Sequence, residues 1–181
     1  ITPKDPDITF SDDPLRMLRA IRFSTTLDFN LDKTTIEGIK QNIDRIKIVS
    51  WERITTEIIK ILCADKPSKG FYLLKETNLL KNVFPELDIM SGINTINGHS
   101  HKDVFIHTLE VVDNAAKLSS TMSIRFAALV HDIAKPQTKK YYKSKGWTFH
   151  GHEEIGKRML KDVAKRMKLS NDLRDYLMCL T

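Results

Sequence analysis

The sequence predicts a mainly α-helical protein, in which a helical N-terminal region is followed by an all-helical domain that carries one short β-hairpin. Three observations lead to this fold class. Apolar residues recur at three- and four-residue spacing through most of the 181 residues. Residues 139–150 have aromatic residues on both sides of a Ser-Lys-Gly turn, the pattern of a hairpin. Residues 88–102 contain two glycines and two asparagines without a helical period, and they predict the boundary between the two regions.

The first helix is predicted to begin at Asp12 or Asp13. Either carboxylate can accept backbone N–H groups at the N-cap, and Pro14 suits the first helical position. Arginines then lie on one side of the helix and apolar residues on the other. By composition alone, this pattern is more often a capped amphipathic surface helix than a binding site. The arginines are Arg16, Arg19 and Arg22, and the apolar residues are Met17, Leu18 and Ile21.

The next two helices are predicted over residues 34–49 and 50–65. In the first, Thr34 and Glu37 have the spacing of a capping box. The second is predicted to begin after an N-cap at Ser50. Both have one apolar face, which we expect to point into the core. The residues expected to face inwards are Ile36, Ile39, Ile43 and Ile46 in the first helix and Ile54, Ile58, Ile61 and Leu62 in the second.

A further helix is predicted over residues 68–87. It is expected to break at Asn78, because asparagine tolerates the left-handed backbone conformation, and to end near Pro85. Beyond the boundary segment, the apolar period predicts three more helices before the chain ends. They are residues 103–118, residues 123–134 and, as the last amphipathic helix, residues 152–169.

The composition narrows the class of protein. It is that of a globular protein, with 41% hydrophobic and 29% charged residues and no apolar run long enough to span a membrane. The cysteines, Cys63 and Cys179, favour a reducing compartment, so we expect a cytoplasmic location and no cysteine-based zinc site. A formal net charge of +6 makes a polyanionic partner plausible. The chain begins at Ile1 without a leader or an initiator methionine, which we interpret as a piece of a longer protein.

All six histidines lie between residues 99 and 152. His107 has apolar helical neighbours, and His131 and Asp132 end a strongly apolar helix. An unpaired buried carboxylate is costly, and a divalent cation would compensate it, since imidazoles and a carboxylate form a common transition-metal site. The alternative is that His107 is a satisfied core histidine and that Asp132 only caps a neighbouring group. The adjacent His-Asp pair and the later His-Gly-His sequence favour the metal site.

These residues resemble a known family. His107, the His131–Asp132 doublet and the later HGHEEIG stretch are similar to the HD domains, metal-dependent phosphohydrolases named after their His-Asp doublet. The resemblance implies that His107, His131 and Asp132 bind a divalent metal, Mg, Mn or Ni, and that the doublet is catalytic. The match is looser for His150 and His152, which resemble family histidines that hold a second metal or a substrate phosphate.

The HD family leads us to expect one further carboxylate ligand from a later helix. Asp172 and Asp175 are available, but the family position is expected past Thr181, which would leave the metal weakly held in this chain. His152 is the residue that could replace this ligand, although a capping or supporting role is the stronger expectation. Ala134 stands where the family often carries glycine, so the end of that helix is expected to differ without affecting the ligands.

The N-terminal region has a resemblance of its own. DDPLRMLRAIRF, followed by SWERITTEIIKIL, is similar to the neck of the class II tRNA nucleotidyltransferases, the bacterial CCA-adding enzymes and poly(A) polymerases. In several members of that family an HD domain follows the neck, so the resemblance covers essentially the whole chain. It implies a neck that binds RNA and nucleotide at residues 1–87, a linker at residues 88–102, and an HD domain at residues 103–181 that is cut short at its C-terminal end.

In that family, the second acid and the arginine of this motif read the incoming base, which assigns base reading here to Asp13 and Arg16. The chemistry agrees, because a carboxylate can accept from the amino group of cytosine or adenine while a guanidinium donates to the adjacent ring nitrogen. Uracil and guanine would present a carbonyl to the carboxylate and be rejected. Arg19 and Arg22 are expected to face nucleotide phosphates or solvent, and Arg53, with Glu52, to hold the neck together.

Three functions are compatible with these features. The favoured one is a piece of a tRNA nucleotidyltransferase, with ATP and CTP as substrates and a tRNA or another RNA 3′ end as partner. The second is a stand-alone HD-type phosphohydrolase, and the third is a non-catalytic RNA-binding module. Nucleotide transfer needs paired carboxylates that hold Mg²⁺ on a triphosphate, and the family carries them on an N-terminal head. We therefore expect this chain alone not to transfer nucleotides.

Overall fold

The computed structural model describes residues 5–96 and 99–181 and is helical through most of them, which confirms the predicted fold class. In the N-terminal region, seven α-helices are described, and a short 3₁₀ helix, Ile43–Ile48, joins the third to the fourth. They are α1 (Pro6–Asp12), α2 (Leu15–Thr26), α3 (Lys33–Asn42), α4 (Trp51–Leu62), α5 (Pro67–Glu76), α6 (Leu80–Val83) and α7 (Pro85–Asp88).

The C-terminal region contains five described helices and two antiparallel strand pairs. The hairpin predicted at residues 139–150 is confirmed, with Tyr141 paired to Trp147. A second pair, in the predicted linker, was not foreseen, and Asn97 and Gly98 between its strands lie outside the described residues. The elements are β1 (Thr95–Ile96), β2 (His99–Ser100), α8 (Val104–Leu118), α9 (Met122–Val130), α10 (Lys135–Thr138), β3 (Lys140–Tyr142), β4 (Gly146–Thr148), α11 (His152–Arg166) and α12 (Asn171–Leu180).

Several local predictions are confirmed. The backbone of Asn78 is left-handed, with φ of 61°, and it separates α5 from α6. Ser50 is the N-cap residue of α4, although its side chain makes no capping hydrogen bond. The four residues of α4 expected to face inwards are all buried. Among the described helices, none is long and apolar enough to cross a membrane.

Other local predictions differ from the structure. Helix α1 was not predicted, and Asp12 is its last residue rather than a cap of the next helix. Asp32, not Thr34, caps α3, since its carboxylate accepts the Thr35 N–H at 2.8 Å and both threonine hydroxyls. These hydrogen bonds lower the pKa of Asp32. Helix α3 also ends earlier than predicted, at Asn42, and α12 beyond residue 169 was not foreseen.

One buried hydrophobic cluster runs through both regions, from α2, α4 and α5 to α8, α9 and α11. A buried arginine, Arg125 on α9, reinforces the contact between the regions. Its guanidinium donates to Leu62 and Ala64 at the end of α4, at 3.3 and 2.8 Å, and to the carbonyl of Ala116 on α8 at 3.1 Å. Its Nε also donates to the Ser119 carbonyl just after α8, at 2.9 Å. One charged side chain thus satisfies carbonyl groups at the ends of helices from both regions.

Candidate metal centre and the arginine cluster of the neck

The His131–Asp132 doublet is positioned by the end of α9. Helix α9 is anchored by Phe126, Leu129 and Val130, which are buried, and His131 follows as its C-cap residue with a helical backbone. The Nδ1 atom of His131 lies 2.9 Å from the carbonyl of Ala128. This contact places the ring proton on Nδ1, so Nε2 is available as a ligand atom.

His107 comes from the neighbouring helix α8, which packs against α9. Asp103 caps α8 by accepting the Ile106 N–H at 3.0 Å, and this fixes the first turn from which His107 extends. His107 Nε2 lies 3.9 Å from Oδ2 of Asp132, and the two imidazole centroids are 5.8 Å apart. The ligand atoms of His107, His131 and Asp132 all lie within 4.8 Å of one another, the only such group of three or more His, Cys, Asp or Glu residues in the described part of the chain.

The Asp132 carboxylate is the most buried member of this group. It is 3% exposed, and its Oδ2 lies 2.7 Å from Nζ of Lys135 and 3.2 Å from Nε2 of His131. Neither contact has the directions of a hydrogen bond, so this oxygen has no hydrogen bond to any described residue. An incompletely satisfied carboxylate oxygen that faces two imidazole nitrogens fits a divalent cation, by the chemistry of its donors.

The pKa values of the doublet show how strongly the two groups interact. Burial alone would raise the pKa of Asp132, but contacts with His131 and Lys135 lower it to about 2. Burial lowers the pKa of His131, and its contacts with Asp132 and the Ala128 carbonyl outweigh that effect, so the net shift is upward. Asp132 is therefore ionised at neutral pH and can act as an anionic ligand.

A cavity of about 280 Å³ opens beside His107 and Asp132. Its other lining residues include His101, Lys102, Lys135 and Phe149, which place positive charge and an aromatic ring next to the ligand atoms. Sequence reasoning missed Lys135 and His101. Lys135 is three residues from Asp132 in a predicted helix end, and this spacing was the only available signal.

The remaining candidate ligands lie outside this group. His150 is exposed and lines a separate small cavity with Lys140 and Tyr142. His152 begins α11, and its Nδ1 contacts the Phe149 carbonyl at 2.8 Å. Neither Asp172 nor Asp175 belongs to the group, and Asp175 pairs with Arg174 at 2.7 Å.

Ala134 does not disturb the helix end at which a glycine is frequent in the HD family. Its φ is −95° and its ψ is −3°, which a residue with a side chain adopts readily. Ala134 is buried, and the next residues form α10, which brings Lys135 back to Asp132. The alanine is therefore compatible with the same placement of the His-Asp doublet.

The second predicted site lies at the start of α2. Asp13 accepts the Leu15 N–H at 3.2 Å, so it caps α2 much as expected, although Pro14 occupies the N-cap position. Three guanidinium groups surround its carboxylate, at 4.0 Å for Arg16, 3.8 Å for Arg19 and 3.7 Å for Arg53. These ion pairs are long and partly exposed, so neither the carboxylate nor the guanidinium groups are saturated by one another.

Arg22 is placed differently from Arg16 and Arg19. Its Nε lies 2.6 Å from Oε2 of Glu57 on α4, and the Glu57 side chain is only 4% exposed. Glu57 also approaches Arg19 at 4.0 Å and Lys60 at 3.4 Å. The Arg22–Glu57 pair therefore packs α2 against α4, which leaves Arg16 and Arg19 as the accessible arginines of α2. No local pattern predicts that Glu57 is buried beside Arg22.

The fold and the histidine–aspartate group together define an α-helical protein with an HD-type domain. Residues 104–177 match the HD domain family, and residues 28–90 match the family described as the "probable RNA and SrmB-binding site of polymerase A". A solved structure of a CCA-adding enzyme in complex with CTP has the same fold over 94% of this chain and 35% of its own, with a TM-score of 0.56 and 21% identity.

Curated relatives share more of the sequence. The chain is 35% identical over 180 residues to the Multifunctional CCA protein of Pseudoalteromonas atlantica, and covers 43% of it. It is 32% identical over 170 residues to the protein of the same name from Cupriavidus pinatubonensis, and covers 40% of that protein. This chain belongs to the family of CCA-adding enzymes and poly(A) polymerases, and it spans about two fifths of the length of these relatives.

Proposed function

We propose that this chain forms the neck and HD domain of an enzyme that adds nucleotides to the 3′ end of tRNA. In this assignment residues 1–87 are the neck, residues 88–102 the linker and residues 103–181 the HD domain. CTP and ATP are the substrates, a tRNA or another RNA 3′ end is the partner, and the cytoplasm is the location. The observation that carries the proposal is the open arginine cluster around Asp13, in a chain related to Multifunctional CCA proteins along almost its whole length.

Asp13 and Arg16 are proposed to select the base of the incoming nucleotide. The Asp13 side chain is 26% exposed and Arg16 is 47% exposed, so both can reach a ligand. Their 4.0 Å separation leaves lone pairs and N–H groups free to meet the amino group and ring nitrogen of cytosine or adenine. Arg19, at 42% exposure, is proposed to contact the same nucleotide, in keeping with a positive charge beside a phosphate.

We also propose a divalent cation at His107, His131 and Asp132. The buried charge of Asp132, the free Nε2 of His131 and the approach of His107 support this ligand set. When bound, such a cation supplies Lewis acidity towards a phosphoester. The chain itself contributes the anionic charge of Asp132, the ring orientation that the Ala128 carbonyl imposes on His131, and the ammonium groups of Lys102 and Lys135 at the cavity, which attract phosphate.

The decisive test of the main proposal uses a protein of the relatives' length that contains this chain. It is incubated with Mg²⁺, a tRNA transcript that lacks its terminal CCA, and labelled CTP or ATP. Addition of the nucleotides to the 3′ end is the expected result. No extension with either nucleotide would contradict the assignment.

A second function, hydrolysis of phosphoesters by the HD domain, is favoured by the cavity beside the His-Asp group. It is tested with this chain, Mn²⁺ and bis(p-nitrophenyl) phosphate. Release of p-nitrophenol is expected in the unchanged chain and not in an Asp132→Asn variant, because the amide removes the anionic ligand. Equal release by the two proteins would assign the activity elsewhere, and no hydrolysis would leave a non-catalytic HD domain.

A further inference from the structure

Helix α11 carries a row of three lysines on one face. Lys157, Lys161 and Lys165 follow one another at four-residue spacing, so their side chains lie above one another. At a rise of about 1.5 Å per residue, successive lysines are about 6 Å apart along the helix axis. Gly156 lies about 100° around the helix from Lys157 and approaches Ile133 and Ala134 next to the metal centre. The lysine row therefore lies on a different face of α11 from the one that packs near that centre.

The positive charge of this row is not neutralised within the described part of the chain. None of the three ammonium groups lies within 4.0 Å of a carboxylate there, and two of the neighbouring acids pair with arginines. Glu154 pairs with Arg158 at 3.3 Å, and Asp175 pairs with Arg174 at 2.7 Å. Asp162 is exposed and stands three residues before Lys165, a neighbouring position on the helix, but no ion pair joins the two. Glu153, four residues before Lys157, is also exposed and forms no ion pair with it.

An open hollow of about 690 Å³ adjoins the row and reaches onto α12. Lys161 and Lys165 form one side of it, and Asn171 and the Arg174–Asp175 ion pair form the other. A phosphate chain that follows the lysines can therefore also meet an arginine and a side-chain amide. These groups offer charge and N–H donors without any arrangement that reads a base, so they suit a sequence-independent contact.

The packing of α11 distinguishes between two kinds of polyanion. A helix that binds a lipid surface needs an accessible apolar face as well as basic residues. The apolar side of α11 is already used, since Leu160, Val163 and Ala164 are buried in the protein. What remains accessible is charged, which favours the phosphate backbone of a nucleic acid.

We propose that Lys157, Lys161 and Lys165, the lysine row of α11, form a docking surface for the phosphate backbone of RNA. The proposal rests on the proposed function in one respect, that RNA is the polyanionic partner. It places an RNA contact in the HD domain, on a face separate from both the base-selecting cluster and the metal centre. The row holds and orients the RNA, and it takes no part in chemistry.

The test is the salt dependence of RNA binding by the 181-residue chain. Binding of a fluorescent tRNA transcript is followed by anisotropy between about 50 and 200 mM KCl, where each phosphate contact contributes about 0.7–0.9 to the slope of log K against log salt. In the triple variant with all three row lysines changed to glutamine, the slope is expected to fall by about 2–3. Affinity at the lowest salt is expected to fall by at least about tenfold.

The matched control changes Lys117, Lys143 and Lys145 to glutamine. These lysines are exposed, and the substitutions remove the same three charges from other surfaces. The control is expected to lower the slope by less than about 1, because it changes only the overall electrostatic potential of the protein and removes no proposed phosphate contact. Thermal unfolding followed by circular dichroism shows whether each variant keeps its fold, and single lysine substitutions replace the triple variant if it does not.

Each outcome of this experiment has a definite meaning. A slope that is unchanged in the row variant, or reduced equally in the control, would overturn the docking surface and leave the proposed function intact. If the unchanged chain does not bind tRNA at all, the RNA partner itself is contradicted, and the surface with it. Row-dependent binding to vesicles of phosphatidylserine and phosphatidylcholine, without row-dependent binding to tRNA, would also overturn the proposal in favour of a membrane surface.

Discussion

Asp13 in the neck and Asp132 in the HD domain are both carboxylates with cationic neighbours, but their surroundings differ. Asp13 is partly exposed and lies 3.7–4.0 Å from three guanidinium groups. Asp132 is buried, and its Oδ2 has one ammonium group at 2.7 Å and two imidazoles at 3.2 and 3.9 Å. The first carboxylate has more positive than negative charge around it. The second has one lysine, Lys135, and one histidine, His131, whose pKa is raised.

This difference indicates what each cluster can bind. An excess of guanidinium groups around a partly exposed carboxylate suits a ligand that brings negative charge together with hydrogen-bonding groups, as a nucleotide does. A buried carboxylate oxygen that accepts no hydrogen bond and faces two imidazole nitrogens suits a cation. The same residue type is thus directed towards opposite ligands by its degree of burial and by the kind of cation around it.

The largest expected effect tests the buried Arg22–Glu57 ion pair beside the arginine cluster of the neck. Glu57→Gln leaves the guanidinium of Arg22 without its 2.6 Å partner in a buried environment. We expect the free energy of unfolding to fall by about 3 kcal/mol, measured by urea denaturation. The control is Glu37→Gln at an exposed position of α3, where a change below about 0.5 kcal/mol is expected. Equal unfolding midpoints for the two variants would show that the Arg22–Glu57 pair does not hold α2 on α4.

The next effect concerns Asp13 and Arg16, which are the partly exposed residues of the arginine cluster. In a protein of the relatives' length that contains this chain, Asp13→Ala or Arg16→Ala is expected to lose about 2–4 kcal/mol of discrimination, which is about 30- to 800-fold for CTP and ATP over UTP. The reason is the loss of a charge-assisted hydrogen bond to the base. Single-nucleotide incorporation measures it, with Asp12→Ala as the control one residue away. Unchanged rejection of UTP in both test variants would remove these residues from base selection.

The HD half of the comparison is tested by removing one imidazole. His131→Ala deletes a proposed ligand, and we expect Mn²⁺ affinity, measured by calorimetric titration of this chain, to fall by more than about 100-fold, since loss of supporting groups alone costs about 10- to 100-fold. His150→Ala removes the same side chain from an exposed position outside the group and should bind Mn²⁺ as the unchanged chain does. If the two variants bind equally well, the ligands are not those proposed. Ni²⁺ titrations should rank the proteins in the same order.

The smallest expected effect is a pH dependence of that metal binding. The pKa of His131 is raised, so the fold favours its protonated form, and the stability gained from that proton is present at low pH and fades as the pH rises through the raised pKa. A metal needs the neutral ring, so affinity is expected to fall by up to about tenfold per pH unit below that pKa. Calorimetry in two buffers of different ionisation enthalpy should show more protons released on metal binding at about pH 6 than at about pH 9. An equal number of released protons at both values would contradict this coupling.

The two regions also differ in how far the sequence predicts them. The left-handed Asn78 and the inward face of α4 follow from short-range patterns, and the structure has them as expected. The His131–Asp132 doublet is also a short-range pattern, and the structure places it near His107. Contacts between distant residues have no such pattern. Glu57 and Arg22 are 35 positions apart, and nothing in either local sequence specifies their pairing. The same reason explains why the buried role of Arg125 was not predicted.

Short-range reasoning failed where two local signals competed. Thr34 and Glu37 have capping-box spacing, but Asp32 stands two residues earlier and its carboxylate reaches three donors at once. The stronger acceptor therefore fixes the beginning of α3. In the same way, the acidic pair Asp12–Asp13 marks both the end of α1 and the start of α2, and a single-helix interpretation missed the first of these.

The four carbonyl groups that share the guanidinium of Arg125 have a consequence for motion. Two of them belong to the end of α4 and two to the end of α8, so any hinge opening between the regions would remove the two α4 partners from this buried cation. Such an opening cannot proceed in small steps, because each intermediate leaves a desolvated charge with half of its acceptors. We therefore expect hydrogen exchange at the ends of α4 and α8 to occur in a single concerted event that coincides with global unfolding.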